Sequence, residues 1–127
     1  MVERVALRLP LARDAELRAV EALDRMLAQY PVEQRAAGQV RFALIEACLN
    51  AMEYTDSARE FNVAFAIDGN ELRITVENDG AFQAKPSGPR RGHGLKIIHS
   101  FMDRVRYLTD SRGTRVEMVK RLNPSHA

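Results

Sequence analysis

Glu46 and Asn50 lie four residues apart in E-A-C-L-N-A-M-E-Y, and Tyr54 follows after four more. On a helix that spacing puts all three on one face, a quarter turn or more from the apolar stripe of Leu44, Ala47 and Ala51. A polar edge beside a packed face makes a cleft wall. The Asn50 amide offers a neutral oxygen to a hard cation that keeps waters and phosphate oxygens, as Mg²⁺ does. Glu46, one turn away, can orient or deprotonate a hydroxyl or a water. In V-E-N-D-G-A-F, a strand end can turn Asn78 or Asp79 into a cleft while Gly80 allows a sharp bend or the close approach of a ring. In R-R-G-H-G-L, Gly92 and Gly94 stand immediately before a helix, so that bare amides and the helix's positive end can receive phosphate. Arg90 and Arg91 add charge-assisted contacts there. These segments read as the two halves of a nucleotide site. Taken singly, each has a plainer reading: a solvated helix edge, an ordinary turn, a helix start.

The elements that must position them follow from periodicity. V-A-L-R-L alternates as a strand and stops at Pro10, and Asp14 can cap a helix to about Tyr30 with the stripe Leu17, Val20, Leu23, Leu27. Pro31 suits the first turn of a longer helix to about Tyr54, with Val40, Leu44, Ala47 and Ala51 on one face and Gly38 as its weak point. Strands over 62–67 and 72–76 are joined by D-G-N-E, a hairpin signal of the Asp-Gly type, and should pair antiparallel. The stretch from Asp79 to Gly92 has little periodicity and reads as a long loop, which usually has a job. A helix from about His93 to Met102 and strands near 105–108 and 115–120, split by S-R-G-T, complete the chain. Strands on one side and three helices on the other predict an α/β two-layer sandwich with a mixed, mainly antiparallel sheet, since nothing supplies repeated β-α-β crossovers.

Length and composition set the limits. The 127 residues suit one domain over 1–127, which at this size buries roughly two thirds of its unfolded surface. With 19 basic against 17 acidic side chains, the net charge of +2 is too small to imply direct nucleic-acid binding. The one cysteine, Cys48, falls within a helical pattern and reads as a small core residue of a reducing compartment. No apolar run reaches the roughly 20 residues of a membrane span, and the N-terminus lacks a signal peptide's apolar stretch. The expectation is a soluble cytoplasmic protein without a membrane partner.

In order along the chain, E-x-x-x-N, a strand-end D-G, G-x-G-L and a late hairpin G-T resemble the GHKL ATPase superfamily, the Bergerat fold of gyrases, MutL proteins and histidine kinases. The short length and G-H-G-L-K-I-I-H-S-F-M-D-R-V are most similar to bacterial anti-sigma factor serine/threonine kinases of the RsbW and sporulation type. The resemblance runs from the first strand to Arg121. It implies ATP and Mg²⁺ as ligands, with Glu46 as catalytic base and Asn50 as the metal ligand. It further implies nucleotide contacts from Gly80, Arg91, Gly92, His93, Gly94 and Leu95, with Thr114 closing the adenine end and 81–91 as an ATP lid. Three positions depart from the family pattern. Asn78 stands for the usual aspartate that accepts the adenine amino group, Phe82 for a second glycine, and Tyr54 for a common histidine.

The resemblance implies a kinase that phosphorylates a hydroxyl on a STAS-domain anti-sigma factor antagonist and sequesters a sigma factor; dimerisation is common in that family. Asn78 and Phe82 keep a second reading open, a binding module that captures a partner without phosphate transfer. A histidine-kinase catalytic domain is disfavoured, because 127 residues leave no room for dimerisation helices carrying a phosphoacceptor histidine.

Overall fold

The computed structural model describes residues 2–53, 60–78, 93–110 and 113–123. Within them run β1 (Val2–Pro10), α1 (Ala15–Leu27), α2 (Gln34–Glu53), β2 (Glu60–Asp68), β3 (Glu71–Asn78), α3 (His93–Phe101), β4 (Arg104–Asp110) and β5 (Gly113–Arg121). The strands form a five-stranded sheet in the order β1-β2-β3-β5-β4, and every described pair is antiparallel. The two-layer α/β sandwich expected from the sequence is therefore present, with no parallel pair among the described strands.

Strand alternation decides which face is covered. Phe61, Val63, Phe65 and Ile67 of β2, Leu72, Ile74 and Val76 of β3, and Val116 and Met118 of β5 are all buried and join one core cluster with the helices. The opposite face carries charged cross-strand pairs such as Arg115 with Glu77 at 2.7 Å, each worth less than about 1 kcal/mol at such exposure. The second helix supplies the centre of the core: Val40, Leu44, Ala47 and Ala51 are buried as their spacing requires. Gly38 lies on its exposed side, with open space where a Cβ would sit.

Four local details differ from the sequence expectation. The second helix starts at Gln34 rather than Pro31. Residues 31–33 dock instead on the end of the chain: the Glu33 amide donates to the Leu122 carbonyl at 3.1 Å, and the Asn123 side chain donates to the Pro31 carbonyl. On α1 the buried set is Ala15, Ala19, Leu23, Met26 and Leu27, while Leu17 is 54% exposed, because only the face toward β1 and α2 is covered. Asp14 precedes α1 with φ 68° and makes no side-chain cap, so its backbone carbonyl alone engages, accepting from Leu17 at 3.0 Å. In the hairpin, the pairing of Asp68 with Glu71 makes Gly69 and Asn70 the central turn residues. Only Gly69 has positive φ, 63°, which is the type II′ pattern and places glycine where its freedom is needed.

Cys48 is completely buried. Burial first, and the charge of Glu16 second, push its thiol far above the ordinary range. The unfolded thiol ionises near pH 8.5 and the folded one does not, so its stabilising contribution is intact below that pH and declines above it. Between pH 8.5 and 9.5 the folding free energy is expected to fall by about 1 kcal/mol from this group. Urea denaturation of wild type and Cys48→Ala at both values checks it; the variant should lose that part of the slope. Among the described residues no helix is long and apolar enough to cross a membrane.

Candidate functional site

The site grows from the middle of the sheet. β3 is the central strand, and Asn78 ends it, paired in register with Phe61 of β2 and with Thr114 of β5. Asn78 is 2% exposed and Thr114 9%. Both belong to the inward-facing set, beneath the last turns of α2. A helix's last carbonyls have no partner within the helix. Ala51 is one of these, and its carbonyl accepts a hydrogen bond from the Asn78 Nδ2 at 3.3 Å.

That bond fixes the amide. With Nδ2 donating to Ala51, Oδ1 points the other way, and a flipped amide would set oxygen against oxygen. Oδ1 is fully buried and accepts no hydrogen bond. A buried acceptor left unpaired costs about 1–3 kcal/mol, and in native proteins it calls for an explanation. Asn78 lines a cavity whose other polar walls are Asn50 and Thr114. The apolar walls are Ala47 and Ala51 from α2, Val76 from β3, Ile98 from α3, Tyr107 from β4 and Val116 from β5. Its free volume is about 10 Å³, room for roughly one water molecule. A flat ring with a donor on its edge matches these walls chemically, and its entry requires them to part.

Glu46 sits one turn before Asn50 on α2, half-buried and outside the cavity lining. The two share a helix face, as their spacing demands. α3 begins at His93, so Gly94 falls within its first turn rather than ahead of it, and the amides of that turn without a partner within the helix belong to residues 93–96. His93, Gly94 and Leu95 thus enter as helix backbone. Tyr54, Gly80, Arg91 and Gly92, together with Phe82 and the expected lid over 81–91, lie outside the described residues. Among the described residues no group of three or more His, Cys, Asp or Glu side chains is placed to hold a metal ion. The donor set near the cavity, an asparagine amide, suits a cation whose remaining ligands are phosphate oxygens and water.

The sequence reading missed Tyr107 and Ile98 as cavity walls. Alternation along β4 puts Tyr107 on the same side as the half-buried Val105, a signal that was present. Nothing in the sequence indicated that α3 would bring Ile98 across from Ala47.

The fold resembles solved structures whose sequences have diverged widely. The crystal structure of the RsbU and RsbW domains of Rv1364c from Mycobacterium tuberculosis superposes with a TM-score of 0.78 at 18% identity, covering 94% of this chain and 32% of that one. A blue-light activated histidine kinase from Erythrobacter litoralis gives a TM-score of 0.60 at 20% identity, over 89% of this chain and 42% of that one. The Acinetobacter baumannii histidine kinase AdeS gives 0.57 at 15% identity, over 94% and 68%. The chain thus spans about a third of the Mycobacterium chain it matches. No curated protein matches it in sequence. The profile of the histidine kinase-like ATPase domain matches residues 10–120, which contain both long helices, the central strand with Asn78, and the G-H-G-L start of α3. The chain belongs to the histidine kinase-like ATPase family.

Proposed function

We propose that this chain is an ATP-dependent serine/threonine protein kinase and anti-sigma regulatory factor, which phosphorylates a STAS-type antagonist in a partner-switching pathway. The observation that carries the nucleotide part is the orphaned Asn78 Oδ1 in the cavity between α2, α3 and the sheet. It accepts and cannot donate, so it suits the exocyclic amine of adenine; guanine would set its O6 against it. Thr114, opposite Asn78 in register, stands at the same end of the cavity. The family match and the likeness to a structure that contains an RsbW domain support the kinase class.

The acceptor hydroxyl oxygen bonds to the γ-phosphorus, the bond to the β,γ-bridging oxygen breaks, ADP leaves, and the hydroxyl proton passes to the Glu46 carboxylate. Asn50 would hold Mg²⁺, which when bound neutralises charge on the phosphates. The first-turn amides of α3, with Gly92 and Arg91 ahead of them, receive the phosphate tail. By the family resemblance, Gly80 and Tyr54 would also contact the nucleotide. A phosphoserine or phosphothreonine on the antagonist adds negative charge at its contact surface and releases it, freeing the kinase to hold a sigma factor. The proposed setting is cytoplasmic, and the dimerisation common in the family it resembles makes a homodimer one form to test.

The narrow cavity favours one second reading, a binding module that captures its partner without transfer. Calorimetric titration with ATP, ADP and GTP in magnesium, with Asn50→Ala as control, separates them together with a γ-phosphate transfer assay on the STAS-type partner. The kinase reading expects ATP to bind in preference to GTP, weaker ATP binding in Asn50→Ala, and a phosphorylated partner. Binding of no nucleotide, with the partner still captured, overturns it in favour of the module.

A further inference from the structure

We infer that Lys120 is a positioning residue for phosphate binding, acting through α3; this rests on the nucleotide reading of the site above. Lys120 belongs to the inward-facing set of β5, with Val116 and Met118, and is only 8% exposed. A lysine is rarely found so deep unless its ammonium has a partner. The partner here is the carbonyl of Phe101, the last residue of α3, at 2.6 Å. A cation at a helix C-terminus satisfies an orphan carbonyl and opposes the negative end of the helix dipole.

The same end of α3 is tied to β5 twice more. The Asp103 amide donates to the Val119 carbonyl at 2.9 Å, and the Arg121 amide donates to the Asp103 carboxylate at 2.7 Å. Phe42 of α2 meets the Phe101 ring edge-on, with centroids 5.7 Å apart. The C-terminal end of α3 is therefore its anchor, and of these contacts Lys120 is the one that hydrogen-bonds a carbonyl of the last turn itself.

Lever geometry turns that anchor into a functional claim. At 1.5 Å per residue, Ile98 on the cavity wall lies roughly 4.5 Å along the axis from Phe101, and the first-turn amides at His93 roughly 12 Å. A tilt about the anchored end moves the phosphate-binding amides about three times as far as the ring-binding wall. Losing the Lys120 contact thus loosens the grip on the phosphate tail more than the grip on the ring. A residue that merely held the fold together would weaken both alike.

The experiment compares the affinities of ATP–Mg²⁺ and adenosine in wild type, Lys120→Met and Lys120→Arg, with Leu27→Ala as a destabilised control on α1. Lys120→Met is expected to raise the Kd for ATP–Mg²⁺ at least fivefold and that for adenosine less than twofold. Lys120→Arg, which retains a cation able to reach the carbonyl, should recover most of the difference, and Leu27→Ala should leave the ratio at the wild-type value. Should Lys120→Met be too unstable to titrate, Lys120→Gln, shorter and uncharged, is expected to give the same split. Equal weakening of both ligands, or of neither, in the variant that folds overturns the role of Lys120 alone. Wild type that binds neither ligand overturns the nucleotide reading beneath it.

Discussion

Replacing Asn78 with leucine is expected to leave a folded protein whose affinity for ATP falls ten- to hundredfold while its preference over GTP disappears. Leucine has nearly the shape of asparagine and deletes both of its hydrogen-bonding ends. The fold loses the bond to the Ala51 carbonyl but also the unpaired Oδ1, two terms of opposite sign and each of order 1 kcal/mol. Binding has no such offset, since the ring's amine would be buried against a methyl group without an acceptor, at about 1–3 kcal/mol. Asn78→Asp, the residue usual in the family, should behave worse for stability than leucine. Its carboxylate would face the Ala51 carbonyl at the negative end of α2, with no proton to donate. The asparagine and the helix end are thus matched in this chain. Calorimetry on the three proteins, with urea denaturation alongside, checks both halves; an unchanged ATP/GTP ratio in Asn78→Leu sinks the assignment of the ring site.

What could be read from the sequence was whatever depends on short-range periodicity. The strands β2 and β3 and the stripe Val40, Leu44, Ala47, Ala51 are local patterns with one stable solution against a sheet. Asn78 and Thr114 were legible as residues, through their motifs, but not as neighbours. Their pairing follows from the β3–β5 register, which is a long-range property. The start of α2 failed for the same reason. Pro31 is a good first-turn residue, yet the pull of Leu122 and Asn123, 91 and 92 positions away, holds 31–33 outside the helix. Leu17 was misjudged because α1 alone cannot say which of its sides α2 and β1 will cover. Lys120 carried only the signal of alternation, two and four residues after Met118 and Val116; what gives its charge a partner there is α3, whose arrival over it no local pattern shows.

Glu46→Gln is expected to lower phosphate transfer by 10²- to 10⁴-fold and to leave the Kd for ATP within about a factor of two, the range that a general base contributes. The substitution preserves shape and hydrogen-bonding reach while removing the ability to take a proton, so a loss confined to transfer points to that proton. Geometry supports the split. Asn50 lines the cavity and Glu46 does not, although one helix face carries both. A residue off the ring's walls and one turn from the amide proposed to hold the metal is suited to the nucleophile's side of the γ-phosphate, not to holding the base. Asn50→Ala should therefore show the opposite profile, losing ATP–Mg²⁺ affinity while adenosine still binds. Single-turnover transfer at saturating ATP measures the first, and titration measures the second. If transfer in the glutamine variant proceeds at the wild-type rate, the proton leaves by another route and Glu46 has no part in the chemistry, whatever the nucleotide does in the cavity.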